Sequence, residues 1–304
     1  MTLNPRELAA FLSIMRLGSI NSAAQSQGMT QPALSRSLKR LEDRLGVPLF
    51  VRHSTGMEPT RFARVLRDYA ELMEFESDRV VEEIKLLNGA ATGLVRLGIV
   101  PSVAQTLLPR ALERARRQSP GIQVRVVEGS GDHMIAAVSR GEVDFAVVGM
   151  PHDPSDHTVS VTPLGMEGVC VAARSGHPLM SKRDLTIDDL RAYPWALPEK
   201  GNVIWYGFHA LFNRAYMEPP VPAVSSNSVL VLKSMVLNDD YLTMMTRVVF
   251  AIEEREGLMA PVPLEAASWE RRLAIARRAT GTMLPAARLL LRELQEAGQD
   301  PAGI

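Results

Sequence analysis

The stretch that decides the fold is Ser19–Phe50, SINSAAQSQGMTQPALSRSLKRLEDRLGVPLF. It predicts two short helices separated by a tight turn at Gly28–Met29, because glycine readily adopts the backbone conformations that end a helix. Thr30 is the predicted N-cap of the second helix. Pro32 follows in the first turn of that helix, where a missing N–H costs little. The stretch therefore predicts a helix–turn–helix pair.

The second helix of the pair has two different faces. Four leucines at spacings of four, three and four residues predict a buried face: Leu34, Leu38, Leu41 and Leu45. Polar and basic residues lie outside that face: Gln31, Ser35, Arg36, Lys39 and Arg40. A helix held by leucines that presents such side chains suits insertion into a DNA major groove. On the charges alone, an ordinary amphipathic helix with a solvated polar face is the alternative.

The surrounding residues resemble the LysR-type transcriptional regulators. The resemblance rests on the order and spacing of Leu8, Phe11, Gly18–Ser19, Ala23–Ala24, Gln31–Pro32–Ala33, Ser35, Leu41–Glu42, Leu45–Gly46, Leu49–Phe50, Arg52 and Thr60. It implies a winged helix-turn-helix DNA-binding domain over residues 1–60. It also implies a set of DNA-contacting residues: Gln31, Pro32, Ser35, Arg36, Lys39, Arg52 and His53. Gln27 stands where the family usually has leucine, which predicts looser packing of the first helix of the pair.

The wing is predicted from two short strands, Leu49–Arg52 and Met57–Thr60, joined by a turn at Ser54–Gly56. The resemblance implies that Arg52 and His53 on this hairpin contact phosphates or a narrow minor groove, where cations are favoured. The alternative is a surface hairpin with solvated charges.

Composition indicates a soluble globular protein, with 304 residues, 46% hydrophobic and 22% charged. The single cysteine, Cys170, excludes an internal disulfide and is expected to be a small buried residue on a strand. Neither a signal-peptide pattern nor an apolar run of membrane-spanning length is found. We therefore expect a cytoplasmic protein with no membrane partner.

The formal net charge of zero conceals an uneven distribution of charge. Residues 1–67 contain ten Lys and Arg against four Asp and Glu, a balance of +6. Residues 68–91 contain two against seven, a balance of −5. The basic excess is confined to the segment with the helix pair, as expected of a DNA-binding module attached to a neutral partner.

A long helix is predicted from Arg61 to Asn88, which contains neither proline nor glycine. An approximate three-and-four spacing places apolar residues on one seam: Phe62, Leu66, Tyr69, Met73, Val80, Ile84 and Leu87. A long helix with one apolar seam usually pairs with another. The resemblance implies that residues 61–91 form a linker that dimerises antiparallel to its copy and ends at a hinge, Asn88–Gly93, and that the protein is a homotetramer built as a dimer of dimers.

Beyond the hinge, apolar strands alternate with helices, which predicts parallel sheet covered on both faces. The predicted strands include Leu94–Val100, Val124–Glu128, Phe145–Val148, Leu164–Ala173 and Arg271–Arg277. The resemblance implies an α/β effector-binding domain over residues 92–304, similar to a periplasmic binding protein. Lobe I would comprise about residues 92–163 and 267–304, and lobe II about residues 164–266.

An effector is expected at the carboxyl ends of the strands, near helix N-termini, where N–H groups favour anions. The candidates for effector binding are Ser102, Val103, Ser130, Gly131, Asn202, Ser226 and Asn227. A small organic effector, such as a carboxylate, is the expected ligand. For each serine or asparagine, capping of its own helix is the alternative.

Other chemistry has little support in the sequence. His152 and His157 lack a closed set of metal ligands, and no Walker loop, nucleophile elbow or paired-cysteine zinc motif is found. We therefore expect no catalytic residues, no metal and no cofactor. The function predicted is DNA-binding transcriptional regulation. A small-molecule binding protein whose N-terminal module serves only in assembly is the alternative, and an α/β enzyme is a third possibility without a motif.

Overall fold

The structure, a computed structural model, describes residues 3–54, 56–87, 93–150 and 158–299. These fall into two compact units: one comprises residues 3–54, 56–87 and 140–142, and the other comprises residues 93–139, 143–150 and 158–299. Within the described ranges, no helix combines the length and the apolar character needed to cross a bilayer. His152 and His157 lie outside the described residues, as does most of the predicted hinge at Asn88–Gly93.

The first unit contains four helices and a hairpin within its described residues. In chain order they are α1 (Pro5–Leu17), α2 (Ile20–Ser26), α3 (Gln31–Leu45), β1 (Phe50–His53), β2 (Gly56–Pro59) and α4 (Arg61–Leu87). Strands β1 and β2 pair antiparallel, with Phe50 opposite Pro59. The predicted winged helix-turn-helix fold is confirmed.

The core of the first unit lies between α1, α2 and α3. Leu34 and Leu41 are fully buried against α1, and the rings of Phe11 and Phe50 pack with centroids 5.7 Å apart. Gly28 ends the turn after α2 with φ +63°, a conformation that residues with a Cβ rarely adopt. The side chain of Gln27 donates a hydrogen bond from Nε2 to the Ala9 carbonyl at 2.9 Å, so this polar residue still ties α2 to α1.

Two details of this unit differ from the sequence predictions. Thr30 occupies the N-cap position of α3, but its side chain makes no capping hydrogen bond. The apolar seam of α4 is also not continuous: Phe62 and Leu66 pack into the core of the unit. Other apolar residues of α4 form a stripe that faces solvent, with exposed fractions between 46% and 67%: Val65, Tyr69, Met73, Val80 and Ile84.

The second unit contains seven α-helices, four short 3₁₀ helices and nine strands within its described residues. The helices are α5 (Pro101–Gln105), α6 (Leu107–Gln118), α7 (Gly131–Ser139), α8 (Val203–Arg214), α9 (Val229–Asn238), α10 (Ala251–Arg255) and α11 (Pro285–Gln299). The strands are β3 (Leu94–Ile99), β4 (Gln123–Glu128), β5 (Phe145–Gly149), β6 (Val159–Arg174), β7 (Ala196–Leu197), β8 (Val224–Ser225), β9 (Thr243–Thr246), β10 (Met259–Pro261) and β11 (Ser268–Arg278).

These elements form two lobes connected by two long strands. In lobe I, β3 pairs parallel with β4 and β5, and the helices include α6, α7 and α11. In lobe II, β7 pairs parallel with β8, and α8 and α9 cover the core. Strands β6 and β11 pair antiparallel from Val159 opposite Arg278 to Cys170 opposite Ser268, and so belong to both lobes. The predicted two-lobed α/β architecture is confirmed.

Several sequence predictions for this unit are wrong in detail. The sequence predicts one helix from about Ser102 to Gln118, but in the structure this segment is broken between α5 and α6, because the Pro109 ring would clash with the carbonyl of Gln105 in a continuous helix. Strand β6 begins at Val159 rather than Leu164. The sheet is mixed rather than parallel, since β9, β10 and β11 all pair antiparallel with β6. Helix α10 and strand β10 were not predicted.

Candidate nucleic-acid interface and ligand cavity

The polar face of α3 is open to solvent. Gln31, Pro32, Arg36 and Lys39 are exposed, and Ser35 is half-buried. Gln31 Nε2 lies 3.5 Å from Ser35 Oγ, and Lys39 Nζ lies 3.5 Å from a carboxylate oxygen of Asp43 one turn later. Neither contact is close enough to immobilise these side chains, so they stay available to a ligand.

The hairpin β1–β2 adds two more of the predicted residues to this face. A groove of about 240 Å³ is lined by Ser35, Arg36, Lys39 and Arg52, among others. A second groove of about 190 Å³ is lined by Gln31, Arg52 and His53, together with Ser19 and Asn21. The structure thus brings together every predicted DNA-contacting residue except Pro32, which is exposed but lines neither groove. We call this face, formed by α3 and β1–β2, the basic surface.

Two acidic residues shape the charge of the basic surface. Glu7 is buried on α1 and lies 3.9 Å from Arg40 and 3.4 Å from Arg44, which directs those arginines toward α1. His53 Nε2 lies 3.1 Å from Glu58 across the hairpin. Arg36 and Arg52, by contrast, form no hydrogen bond or ion pair with any described residue. Their guanidinium groups are therefore free to meet an anion.

The position of the hairpin relative to α3 is fixed by Glu42. Its Oε1 accepts hydrogen bonds from the backbone N–H groups of Leu49 at 2.7 Å and of Phe50 at 3.3 Å. Thr60 closes the other end of the hairpin by donating from Oγ1 to the Pro48 carbonyl at 2.9 Å. A carboxylate that accepts two backbone N–H groups makes a strong, directional contact, so Glu42 ties the start of β1 to α3.

Ser19 and Asn21 were not identified from the sequence as candidates for this surface. Ser19 is the N-cap of α2, with its Oγ accepting from the Ser22 N–H at 3.4 Å. The capping role was the only signal in the sequence, and it does not point to a ligand.

A cavity of about 390 Å³ lies between the two lobes of the second unit. Among the predicted effector residues, it is lined by Ser102, Gly131, Asn202, Ser226 and Asn227. Val103 is not in the lining because its side chain is fully buried in the lobe I core. Ser130 is also absent from the lining, and its carbonyl accepts the first hydrogen bond of α7, from Met134 N–H at 3.0 Å.

Four helices, α5, α7, α8 and α9, begin at this cavity. Asn202 caps α8 by accepting from the Ile204 N–H at 2.9 Å, and Ser226 accepts from the Ser228 N–H at 3.1 Å just before α9. Asn227 donates from Nδ2 to Glu199 at 2.8 Å. Gly131 is the first residue of α7. Capping and cavity lining, which are alternatives at the level of the sequence, thus coincide at Asn202.

The cavity wall is mostly apolar, with charge at two places. Apolar lining residues include Val100, Met150, Ile204, Leu232, Met244, Met245 and Val249. Among the described residues, the charged members of the lining are Arg271, on β11, and Asp132, on α7. Burial raises the pKa of the Asp132 carboxyl above its usual range. Neither residue was identified from the sequence, although an arginine within the apolar strand Arg271–Arg277 was a signal.

Arg271 forms part of a buried polar network. Its Nε donates to Oε1 of Glu167, on the neighbouring crossing strand β6, and its Nη2 forms an ion pair with the same oxygen. Its Nη2 also lies 3.3 Å from Ser102 Oγ, which in turn donates to Glu167 Oε1 at 3.2 Å. The exposed fractions are 7% for Arg271 and 3% for Glu167. Three segments far apart in the chain therefore meet at one wall of the cavity.

The two remaining candidates for chemistry in the described part of the chain are a metal site and Cys170. No group of three or more His, Cys, Asp or Glu side chains among the described residues is placed to hold a metal. Cys170 is buried on β6, and burial raises the pKa of its thiol to about 12. The thiol is therefore protonated at neutral pH and is a poor nucleophile.

Comparison with known protein families accounts for both units. A family model described as a bacterial regulatory helix-turn-helix protein of the lysR family matches residues 5–64. A model described as the LysR substrate binding domain matches residues 88–299.

Individual relatives agree with the family models. The HTH-type transcriptional regulator GalR of Pseudomonas putida is 30% identical over 292 residues, which span 94% of this chain and 72% of that protein. The crystal structure of CbnR, a LysR family transcriptional regulator, superposes with a TM-score of 0.70 at 17% identity and covers 98% of this chain and 100% of CbnR. The crystal structure of full-length CbnR complexed with its target DNA superposes with a TM-score of 0.69 at 17% identity. This match covers 97% of the present chain and 99% of CbnR. The chain therefore belongs to the LysR family: it is a DNA-binding transcriptional regulator with an effector-binding domain, and not an enzyme.

Proposed function

We propose that this regulator binds a dyad-symmetric promoter site through the basic surface. We further propose that a small organic effector bearing a carboxylate occupies the cavity between the lobes and changes that binding. The observation that carries the first part is the convergence of two unpaired guanidinium groups, Arg36 and Arg52, on one groove between α3 and the hairpin. A groove with free guanidinium groups on both walls suits the phosphates that flank a major groove.

Within the basic surface, the residues have distinct roles. Gln31, Pro32 and Ser35 lie at the N-terminal end of α3, the end that contacts base edges in helix-turn-helix proteins. Arg36 and Lys39 follow along the same face and meet bases or phosphates. Arg52 and His53 reach the backbone or the adjacent minor groove from the hairpin.

Dyad symmetry requires two copies of α3 at a fixed separation. The exposed apolar stripe of α4 supports such pairing, because a helix that shows a run of apolar side chains to water gains stability by covering them with a second copy. We propose that α4 pairs with its copy in a dimer, and that two dimers form the homotetramer.

The cavity supports the effector proposal by its size and its electrostatics. A volume of about 390 Å³ falls within the roughly 300–1,000 Å³ that small-molecule sites usually have. The N-terminal ends of α7, α8 and α9 contribute partial positive charge to its wall, which favours an anion. Small-molecule binding at this cavity would change the relation of the two lobes, and the assembly state with it.

The test is salt-dependent binding of the full chain to duplex fragments from the chromosomal region flanking its gene. We expect the wild type to bind one fragment with an affinity that falls steeply with salt. Arg36→Ala should weaken binding and reduce the slope of log K against log salt concentration by about one for each phosphate that the variant no longer neutralises. Arg116→Ala, which removes an exposed arginine of α6 in the other unit, is the matched control and should change neither quantity.

Two results would contradict the proposal. One is the absence of salt-sensitive binding to every fragment by a chain that is folded. The other is an Arg36→Ala variant that keeps both the affinity and the slope of the wild type, which would favour a binding protein whose N-terminal module serves only in assembly.

A further inference from the structure

Arg271 is the one basic side chain among the described residues that line the cavity. It lies on β11, one of the two strands shared by the lobes, and only 7% of its surface is exposed. A buried arginine stays protonated, so its charge must be balanced by protein groups or by a ligand.

The protein balances only one edge of this guanidinium. Its hydrogen bonds to Glu167 and Ser102 run through Nε and Nη2. Glu167 comes from β6 and Ser102 from α5, so two separate elements hold this one edge. Its plane is therefore fixed before any ligand arrives.

The other edge has no partner among the described residues. Nη1 of Arg271 makes no hydrogen bond to any part of the chain that the structure describes. Nη1 is not fully enclosed by the protein, because Arg271 lines the cavity, so its two charged N–H groups can donate to an acceptor on a ligand.

Gly149, at the end of β5, leaves the space beside Nη1 open. A Cβ on residue 149 would lie 3.5 Å from Nη1 and 3.1 Å from Val203 Cγ1. Any side chain at this position would therefore fill the approach to Nη1. Gly149 also lines the cavity, so the open space is continuous with it.

We propose that Nη1 of Arg271 binds the carboxylate of the effector, with Glu167 and Ser102 as positioning residues that aim the guanidinium. This inference rests on the proposed function, because it assigns the determinant of ligand specificity at the same cavity. The ligand carries one carboxylate on an apolar body: Met150, Leu232 and Met244 line the wall, and the acidic Asp132 disfavours a second carboxylate.

Thr246 adds a second recognition element. It lines the cavity, is 3% exposed, and its hydroxyl makes no hydrogen bond to a described residue. A hydroxyl or carbonyl on the apolar body of the ligand would satisfy it.

A purely structural ion pair is the competing explanation. Replacing such a buried pair as a whole is often neutral for stability, whereas removing one partner strands a buried charge. Stability measurements alone therefore do not separate the two explanations. The separating quantity is the preference for a carboxylate over the amide of the same shape, which a structural role would not change.

The experiment measures binding of matched pairs to the full chain by calorimetry and thermal shift. The probes are benzoate and benzamide, hexanoate and hexanamide, and isovalerate and isovaleramide, with succinate as a dicarboxylate. We expect at least one carboxylate to bind the wild type roughly tenfold to a hundredfold more tightly than its amide, as a charged hydrogen-bonded pair allows. Succinate should bind more weakly than the preferred monocarboxylate.

Three variants test whether the preference for a carboxylate over its amide depends on Arg271. The double variant E167Q/R271Q removes both charges together, which avoids a stranded Glu167, and should bind carboxylate and amide equally. Gly149→Ala leaves the ion pair intact and should weaken carboxylate binding at least tenfold by filling the approach to Nη1. Arg272→Gln makes the same substitution at the next, exposed position of β11 and should keep the preference of the wild type.

The inference is overturned if no carboxylate of the panel is preferred over its amide by the wild type, including the case in which none binds. It is also overturned if the preference persists in E167Q/R271Q. Promoter binding measured in parallel separates this failure from that of the proposed function. Neutral probes that bind and alter promoter binding would leave the regulator intact and remove only the role of Arg271.

Discussion

The basic surface and the cavity use arginine in opposite ways. Arg36 and Arg52 are exposed, form no ion pair with any described residue, and lie close together both in space and along the chain. Arg271 is buried and held by Glu167 and Ser102, which are 104 and 169 positions away. Exposed charges attract a polyanion over a range that depends on the salt concentration. A buried charge with a fixed orientation instead binds one chemical group at one position. The same residue type therefore suits two different ligands, depending on whether its side chain is exposed or buried.

The largest effect is expected for a substitution in the core of the first unit, which should lower the stability of that unit and leave the other unchanged. Phe11→Ala removes a fully buried ring from the core under the basic surface and should cost the first unit about 3–5 kcal/mol. Because the cores of the two units are separate clusters, ligand binding at the cavity should survive. Calorimetric unfolding should show one transition lowered and the other unchanged. Loss of both transitions together would show that the units are not independent.

The next substitution leaves the buried charge of Arg271 at the cavity without its ion-pair partner. Glu167→Ala leaves Arg271 without its carboxylate and should cost the second unit about 3 kcal/mol or slightly more. Urea unfolding gives the loss of free energy. The E167Q/R271Q double variant is the control and should recover most of it. Equal costs for the single and double variants would mean that the burial of an unpaired charge is not the cause.

A smaller loss of stability is expected when the hydrogen bonds between the hairpin and α3 are removed. Glu42→Ala removes the acceptor for the Leu49 and Phe50 N–H groups and should destabilise the first unit by about 1–3 kcal/mol. Promoter affinity at a temperature where the variant is fully folded should also fall, because Arg52 loses its fixed position relative to Arg36. Unchanged affinity in the folded variant would show that Glu42 does not set the geometry of the basic surface.

The contribution of the hairpin to binding should appear mainly in the salt dependence. Arg52→Gln removes one free guanidinium and should lower the slope of log K against log salt by about one. The measurement is a titration at several salt concentrations. Arg117→Gln, which replaces an exposed arginine that is paired with Glu113 on α6, is the control and should leave the slope as it is. An unchanged slope with Arg52→Gln would remove the hairpin from the DNA contacts.

The smallest effect concerns Cys170. Burial raises the pKa of its thiol from an ordinary 9.0 to about 12, so the folded protein favours the protonated thiol. This contribution to stability is complete below pH 9 and is lost as pH rises toward 12. At neutral pH we expect slow labelling of the folded chain by iodoacetamide and unaltered promoter binding after mild peroxide treatment. Rapid labelling under native conditions would contradict this.

The basic surface could be predicted from sequence because local rules determine it. The leucine spacing of α3 fixes which residues face outward, and the glycine at position 28 fixes the turn. Contacts between neighbouring elements of a short segment then leave little freedom for the hairpin. The missing capping bond of Thr30 was not foreseeable, since a cap position does not determine a side-chain rotamer.

The cavity was only partly predictable for the opposite reason. Residues that follow strands and begin helices, such as Asn202 and Ser226, were identified because the topology of α/β lobes brings strand ends together. Arg271 and Glu167 lie in the interiors of strands and meet through the register of β6 against β11, which spacing within either strand does not reveal. Val103 was wrongly predicted to line the cavity, because its side chain points into the lobe I core. A helix as short as α5 has too few residues for the sequence to show which side faces the core.

The pairing of β6 with β11 has a mechanical consequence. The two strands stay hydrogen-bonded along their shared length, with one register shift between Leu273 and Ala274. A ribbon of this kind resists bending at a single peptide bond and yields more easily by changing its twist, with the bulge as its most compliant point. Arg271 lies two residues before that point. A ligand bound to Arg271 would therefore lie next to the bulge, where a small change in the twist of the ribbon would rotate one lobe relative to the other.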